Sequence, residues 1–408
     1  MTATAATTTA CTARTARTAR TARTADVAAF THAFLGARHE LADVLTDLAV
    51  RQSAEDEIFR SVRALSGAAW ELQQYAPRRL NRLATFLPSN NVLYSYVLFG
   101  IIPSLYTDEV LIRPSARTGE TAAAVHEILR PHLARLAGRV ELTGASQRAF
   151  TGECARSDLV VFTGQPDNAE AVGSALGPGT TLLAFGSGPN PIVLGPRADL
   201  ERGCRAVLEA RTYNSGQDCL APDLVFVHRS IAREVTERLG TALAELPFGD
   251  RRDPAVAVAP LVYPDAVAGA AEFLDAHREH VLRGGRVDTA TGTVEPTLVH
   301  LPWQDAFHPP ELFSPVLVLM EYDRAEQVEA WLNSPVELAR GMYVSVFGEP
   351  GLRGERIGTS VTCHERTTFD IEDGNQPFGG YGRQANSVRR GGRVETRPLL
   401  VSAETGRR

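Results

Sequence analysis

Hydrophobic and polar positions divide the chain into two parts that meet near residue 90. Between residues 26 and 87, apolar side chains recur every three or four positions, in one stripe that begins at Phe30 and a second that begins at Ile58. This period predicts two long amphipathic helices. Beyond residue 90, short apolar runs alternate with helical patterns, which is typical of an α/β fold built on parallel sheets.

The first half of the alternating region predicts a β-α-β-α-β unit. Its strands are expected at 109–115, 139–142 and 158–162, with a helix over 120–136 and a short helix from about residue 168. Because helical crossovers join parallel strands, these segments should share one sheet.

The second half predicts a further set of strands and helices. Strands are expected at 192–194, 224–228 and 341–347, and helices at 198–211, 231–246 and 265–277. The last stretch, 394–402, alternates as an edge strand does.

Composition narrows the class of protein. Of 408 residues, 44% are apolar and 22% are charged, which is typical of a globular protein with two or three domains. The net charge of −6 shows no basic excess, so neither nucleic acid nor a membrane is an expected partner. No apolar run reaches the ~20 residues that a membrane span needs. All 42 basic residues are arginine, so Schiff-base lysine chemistry is excluded.

The cysteines argue for a reducing environment. They are Cys11, Cys154, Cys204, Cys219 and Cys363. None forms a C-x-x-C pair and their number is odd, so neither a metal site nor a disulfide framework is expected. A cytoplasmic location fits this pattern best.

Residues 1–25 consist mainly of Thr, Ala and Arg, with a Thr-Ala-Arg triplet repeated from Thr12 to Arg23. No core can be built from such residues, so the segment is predicted to be disordered. An arginine-rich, acid-free N-terminus is compatible with a transit peptide. A low-complexity extension or a misplaced start codon is the simpler interpretation.

The segment from Tyr213 to Pro222 carries the strongest chemical signal, because it contains Cys219 among small and amide residues. Most free cysteines act as small buried hydrophobes. Here, however, Gly216 permits close backbone approach, and nearby N–H groups can lower the thiol pKa and hold an oxyanion. The pattern Asn-x-Gly-Gln-x-Cys resembles the nucleophile motif of the aldehyde dehydrogenase superfamily. This resemblance implies that Cys219 is the nucleophile.

An asparagine pair precedes a predicted helix and resembles another landmark of that superfamily. There, an asparagine in this position donates its side-chain amide to the substrate oxygen. Counting back from Pro103 and Arg113 favours Asn91, with Asn90 one position away. A helix N-cap is the alternative role.

The strand that ends in Arg113-Pro114-Ser115 resembles the superfamily's Lys-Pro-Ser segment, whose lysine contacts the adenosine ribose or its phosphate. The resemblance therefore assigns Arg113 and Ser115 to cofactor binding. A guanidinium can hold a 2′-phosphate through two hydrogen bonds, but the absence of lysine from the chain explains the arginine equally well. NAD and NADP both remain open as cofactors.

Two further turns resemble the superfamily's cofactor site. Thr163-Gly164-Gln165 follows a predicted strand, and such a turn presents backbone N–H groups to a pyrophosphate. In the superfamily a serine takes the place of Gln165. The segment with Glu311 and Phe313 resembles Glu-x-Phe, in which the glutamate hydrogen-bonds the nicotinamide ribose and the phenylalanine packs against the nicotinamide.

The main departure from the superfamily lies at Ala184, which takes the place of the glutamate that activates water. No acidic residue lies between Glu170 and Asp199. Hydrolysis of a thioester requires an activated water, whereas a thiol already supplies some thiolate. We therefore expect an acylating enzyme that reduces acyl-CoA, an acyl carrier or an acyl phosphate to an aldehyde. Oxidation of an aldehyde to a carboxylate, a catalytically silent homologue and a cofactor-free cysteine hydrolase are the alternatives.

The resemblance also implies a domain organisation. It predicts two Rossmann-like parallel-sheet domains, with N-terminal helices and a NAD(P)-binding domain over 26–187 and a catalytic cysteine domain over 188–385. Residues 386–408 would form a C-terminal oligomerisation strand, and residues 1–25 a tail. In the superfamily this strand joins a neighbouring subunit, so a homodimer or higher oligomer is expected; folding back onto its own sheet is the alternative.

Overall fold

Two large sheets flanked by helices, together with one two-stranded sheet, form the part of the chain that the computed structural model describes, residues 26–406. The predicted tail, residues 1–25, lies outside the described residues. The strands are β1 Leu80–Phe86, β2 Thr107–Arg113, β3 Arg139–Leu142, β4 Leu159–Thr163, β5 Thr181–Phe185, β6 Ile192–Leu194, β7 Val225–His228, β8 Val281–Arg283, β9 Val287–Asp288, β10 Thr293–Val294, β11 Thr297–Leu301, β12 Val316–Tyr322, β13 Tyr343–Phe347, β14 Arg356–Ile357, β15 Ser360–His364, β16 Asn386–Arg390 and β17 Arg393–Glu395.

The helices are α1 26–36, α2 Arg38–Leu45, α3 Arg51–Tyr75, α4 Val92–Tyr96, α5 Ile102–Ser104, α6 Gly119–Leu133, α7 Gln147–Cys154, α8 Pro166–Ala175, α9 Leu200–Thr212, α10 Arg229–Glu245, α11 Pro264–Ala276, α12 Ala325–Leu332, α13 Pro335–Arg340, α14 Thr368–Ile371 and α15 Val401–Gly406. Helical turns of other types lie at Val97–Ile101, Tyr213–Gly216 and Arg278–His280. None of these elements in residues 26–406 has the length and apolar character needed to cross a membrane.

The first sheet has the strand order β17-β16-β5-β4-β1-β2-β3. Strands β1 to β5 are parallel, and the β16–β17 hairpin extends the sheet beside β5 in the antiparallel direction. Apolar side chains of β1, β4 and β5 are buried on both faces of this sheet. Such two-sided burial is characteristic of parallel sheets covered by helices.

The second sheet has the strand order β14-β15-β13-β6-β7-β12-β11-β8. Its inner strands are parallel, and only the edge strands β14 and β8 pair in the antiparallel direction. The chain passes from the first sheet to the second between Phe185 and Ile192 and returns to the first at Asn386. The predicted α/β fold with parallel sheets is therefore confirmed.

The central strand β1 was not expected, because residues 80–86 were assigned to the second of two helices. Helix α3 ends at Tyr75, where Ala76 takes a left-handed conformation (φ 43°) and Pro77 follows. A left-handed residue followed by proline is a common way for a helix to end. The apolar run after it, Leu83–Phe86, is too short for its periodicity to distinguish strand from helix.

The C-terminal prediction is wrong over most of its length. The strand expected at 394–402 ends at Glu395, and Val401–Gly406 forms helix α15, which packs on α3. Pro398 cannot donate a ladder hydrogen bond and interrupts the alternation. Beyond it, the buried Glu404 carboxylate accepts from Arg397 at 2.7 and 2.9 Å. The described tail thus folds back on its own chain, and the oligomer stays a prediction.

Candidate active site

Cys219 follows an unusual backbone turn. Helix α9 ends at Thr212, and the next turn has three left-handed residues, Asn214 (φ 46°), Ser215 (φ 58°) and Gly216 (φ 79°). A Cβ atom at Gly216 would lie 2.2 Å from the carbonyl oxygen of Ser314, so only glycine fits there. The turn therefore holds the cysteine loop directly against the loop that carries Glu311 and Phe313.

Hydrogen bonds fix the backbone on both sides of the thiol. Asn190, a residue that sequence reasoning did not single out, donates from Nδ2 to the carbonyl oxygen of Cys219 at 2.8 Å. Asp218 accepts from the backbone N–H of Leu220 at 2.8 Å. Among the cysteines of residues 26–406, Cys219 alone is not fully buried. A fixed and partly accessible thiol is what a nucleophile requires.

Two cavities meet at this thiol. We call one the inner cavity; it lies between α3, α4 and the C-terminal segment. We call the other the strand-end cleft; it lies at the carboxyl ends of β1, β2 and β4. The residues that line both are Pro88, Asn90, Thr163, Gly186 and Cys219. Cys219 is thus accessible from either side.

The strand-end cleft contains every residue that the sequence assigned to cofactor binding. These residues are Arg113, Ser115, Thr163, Gly164, Gln165, Glu311 and Phe313. Ligands of open α/β sheets bind in the crevice at the carboxyl ends of the strands, which is the position of this cleft.

Polar groups in the cleft suit a nucleotide as well. The buried hydroxyl of Thr163 has no hydrogen-bond partner. Gln165 donates from Nε2 to Glu311 at 3.1 Å, which links the two sheets across the cleft. Burial raises the pKa of the Glu311 carboxyl. Arg113 uses its Nε for the carbonyl oxygen of Ala145 at 3.3 Å, which leaves its terminal nitrogens for an anion.

Asn91 and Asn90 take different positions beside the thiol. Asn91 has a left-handed backbone (φ 50°), and its side chain does not cap helix α4, so the alternative N-cap role is not observed. Its Nδ2 donates to Asp218 at 2.7 Å, which occupies one of its two N–H groups. The Nδ2 of Asn90, which lines both cavities, is buried without a partner.

Ala184 does not face the thiol. Alternate residues of a strand point to opposite sides, and the member of β5 that lines the inner cavity is Phe185. Ala184 lines neither the inner cavity nor the strand-end cleft. Strand β5 therefore presents an aromatic ring to the inner cavity and no carboxylate.

A cluster of charged residues from α3 and distant loops was not predicted from the sequence. Arg60 lies with its Nε 3.0 Å from an oxygen of Asp56, and its guanidinium lies 5.0 Å from the ring centre of Tyr94. Tyr94 donates a short hydrogen bond to Glu372. The available signal was the presence of Glu57 and Arg60 on the helix face that also carries Ala64 and Leu65, since buried charges must be paired.

The environment of Cys219 favours the protonated thiol. Burial raises its pKa well above the ordinary value, and the carboxylates of Asp218 and Glu311 raise it further. The backbone N–H of Cys219 and the charge of Arg60 act in the opposite direction but are outweighed. The lowering of the thiol pKa that the sequence suggested is therefore not the net effect.

The family model described as "Aldehyde dehydrogenase family" matches residues 88–396. This chain belongs to the aldehyde dehydrogenase family. A putative aldehyde dehydrogenase family 7 member A1 homolog from Dictyostelium discoideum is 32% identical over 199 residues, which cover 47% of this chain and 38% of that protein.

Other aldehyde dehydrogenases match over longer stretches. Succinate-semialdehyde dehydrogenase [NADP(+)] 1 from Schizosaccharomyces pombe is 26% identical over 311 residues, or 72% of this chain and 62% of that protein. The chain thus matches less than two thirds of the length of these curated relatives. A succinic semialdehyde dehydrogenase from Streptococcus pyogenes, solved with NADP+, superposes with a TM-score of 0.80 at 16% identity, covering 93% of this chain and 90% of the other. At this identity the likeness establishes the shared fold.

Proposed function

We propose that this aldehyde dehydrogenase family member is an NAD(P)-dependent oxidoreductase that interconverts an aldehyde and a thioester on Cys219, with acyl exchange to a thiol or phosphate. The observation that carries the proposal is the position of Cys219 at the meeting point of two cavities. A carbonyl group in the inner cavity reaches the thiol from one side, while the strand-end cleft opens on the other.

The strand-end cleft is the proposed cofactor site. Arg113 and Ser115 would hold the adenosine end, Thr163 to Gln165 the pyrophosphate, and Glu311 with Phe313 the nicotinamide end. When bound, the nicotinamide supplies hydride transfer. Relatives named as NADP-dependent and the free guanidinium nitrogens of Arg113 support NADP, and the experiment below includes both cofactors.

The chain's own residues would perform the covalent chemistry. The Cys219 thiolate adds to the carbonyl carbon, and the proton of the thiol leaves to solvent. The resulting oxyanion would be held by the backbone N–H of Cys219 and by the remaining N–H of Asn91, with the unpartnered amide of Asn90 beside them. Loss of one such donor typically costs about 10²–10³ in rate.

The side chain that β5 presents to the inner cavity favours one class of acyl acceptor over another. Because β5 presents Phe185 rather than a carboxylate, a thiol such as coenzyme A or a carrier-protein thiol, or phosphate, is the favoured acceptor. Hydrolysis is the second candidate. It is favoured by Asp218 and Glu372, two carboxyls in the inner cavity whose pKa values are raised by burial, as a general base at neutral pH requires.

The test uses purified protein, a panel of aldehydes, NAD+ or NADP+, and coenzyme A present or absent, with Cys219→Ser as control. Cofactor reduction that depends on coenzyme A supports the acylating function. Turnover without any acceptor but water supports hydrolysis and rejects the acylating function. A catalytically silent homologue would give no signal in any assay and no quenching of protein fluorescence on titration with either cofactor.

A further inference from the structure

The inner cavity has mainly apolar walls. Its side chains without a polar group include Leu98, Phe99, Phe185, Leu220, Phe378 and Leu399. Phe185 packs on Phe99 with ring centres 5.0 Å apart, and Leu220 directly follows the cysteine, so the apolar surface extends to the thiol. A ligand that enters this cavity therefore exchanges most of its water for hydrocarbon.

Arg60 is the single basic side chain among the described residues that line the inner cavity. Its guanidinium is already engaged. Nε lies 3.0 Å from Asp56, Nη2 donates to the hydroxyl of Tyr213, and the charge lies over the rings of Tyr94 and Tyr213. The side chain is 8% exposed. Arg60 therefore offers a ligand little uncompensated positive charge.

Carboxyl groups outnumber this cation in the same cavity. Glu71, Asp218, Glu372 and Asp373 all line it. Burial is the main cause that raises the pKa values of the first three, because each carboxylate is poorly solvated there. Asp373 is exposed and lies at the rim. A second anion in the cavity would add to charges that are already unfavourable.

We propose, on the basis of the function proposed above, that the inner cavity selects aldehydes with an apolar, uncharged tail and rejects aldehydes whose tail carries a carboxylate. A carboxylate tail would lose its hydration against apolar walls, would meet four carboxyl groups, and would find no uncommitted cation. A methyl or aryl tail meets none of these costs and gains from the removal of its surface from water.

The first test compares two aldehydes of nearly equal shape, para-methylbenzaldehyde and para-carboxybenzaldehyde. We expect kcat/KM for the methyl compound to exceed that for the carboxylated compound by at least about 30-fold. Equal values, or a preference for the carboxylated aldehyde, would overturn the proposal. If neither aldehyde reacts, whichever cofactor and acyl acceptor are supplied, the proposed function fails. The next experiment then decides whether the cavity selects by charge.

The second test requires no turnover. Iodoacetamide and iodoacetate differ in charge but little in size, and both alkylate thiols. Their rates at Cys219, measured by mass spectrometry of its peptide, are compared with their rates at free cysteine. We expect the iodoacetate-to-iodoacetamide ratio at Cys219 to lie below that of free cysteine, since one of the two routes to the thiol crosses a negative cavity. A ratio equal to that of free cysteine would contradict the proposal.

A rim substitution separates charge from shape. Gln376 is exposed at the rim of the inner cavity. Gln376→Arg should raise the relative kcat/KM for the carboxylated aldehyde about tenfold, because it adds a positive charge at the rim. Gln376→Met, of similar size, should leave the ratio of the two aldehydes unchanged. Equal effects of both substitutions would mean that shape sets the ratio and would reject selection by charge.

Discussion

Arg211 joins the cysteine loop to the loop of Glu311, and we predict that its removal destabilises the protein strongly. The side chain is 1% exposed. Nε donates to the carbonyl oxygen of Ser314 at 3.0 Å, and Nη1 donates to Pro222 and to Asp223 at 3.0 and 3.1 Å. Asp223, itself buried, has no second cation within salt-bridge distance among residues 26–406.

The expected cost follows from what remains after the change. Burial raises the pKa of Asp223 to about 7 even beside Arg211, so Arg211→Met forces this carboxyl either to stay charged without a counter-charge or to take up a proton. The change also leaves two backbone carbonyls without their donor. Breaking one partner of a buried pair typically costs about 3–5 kcal/mol of unfolding free energy. Asp223→Asn leaves the arginine uncompensated and should also be destabilising. Because each single change breaks the same pair, the double variant should lose about 1–3 kcal/mol less unfolding free energy than the two single variants lose together.

The assay is urea unfolding followed by far-ultraviolet circular dichroism, with Arg233→Met as the control. Arg233 forms an exposed pair with Glu237 on α10, so its loss should leave the urea midpoint unchanged. A midpoint of Arg211→Met equal to that of the unsubstituted protein would refute the argument. If the losses of unfolding free energy for Arg211→Met and Asp223→Asn were additive in the double variant, the claim that the two side chains act as a pair would be refuted.

Three further predictions concern the same region. Gly216→Ala should lower the urea midpoint and weaken cofactor binding, because the φ of Gly216 is 79° and a Cβ would lie 2.2 Å from the carbonyl oxygen of Ser314. Gly177→Ala should do neither, because Gly177 has open space around it. Burial raises the pKa of Glu57 to about 7. The stabilisation by this group is therefore complete below the pKa of the carboxyl in the unfolded chain and should be lost as the pH rises through about 7. Glu57→Gln should remove about 3 kcal/mol from the pH dependence of the unfolding free energy. Asp218→Asn should speed iodoacetamide alkylation of Cys219 several-fold at neutral pH, because it removes a charge that raises the thiol pKa; an unchanged rate would contradict this.

Much of the α/β core could be predicted from the sequence, because parallel strands covered on both faces appear as continuous apolar runs. The predicted strands at 139–142 and 192–194 coincide with β3 and β6. Strand β1 was missed because its apolar run is short and follows a long helix. Helix α15 was missed because it packs on α3, which lies far away along the chain. Tertiary contacts, rather than local propensity, decide such short elements.

The cofactor residues could be identified from sequence for a simple topological reason. Arg113 and Thr163 end β2 and β4, the two parallel strands that flank β1, and the ends of parallel strands meet at one edge of a sheet. The orientation of β5 could not be identified in the same way, because a one-residue difference in register exchanges the two faces of a strand. As a result, the sequence pointed to Ala184, whereas the ring at the inner cavity belongs to Phe185.

Two charged residues on a buried face of helix α3 could have been used to predict the charged groups around the thiol. Glu57 and Arg60 lie on the face of α3 that also carries Ala64 and Leu65, and all four are buried. A charge on a buried helix face must find a partner or a ligand. Arg60 finds its partners in Asp56, on the same helix, and in residues near the cysteine, so helix α3 contributes charged side chains to the inner cavity. Polar residues on a buried helical stripe therefore indicate where a helix faces a binding site, even when no motif does.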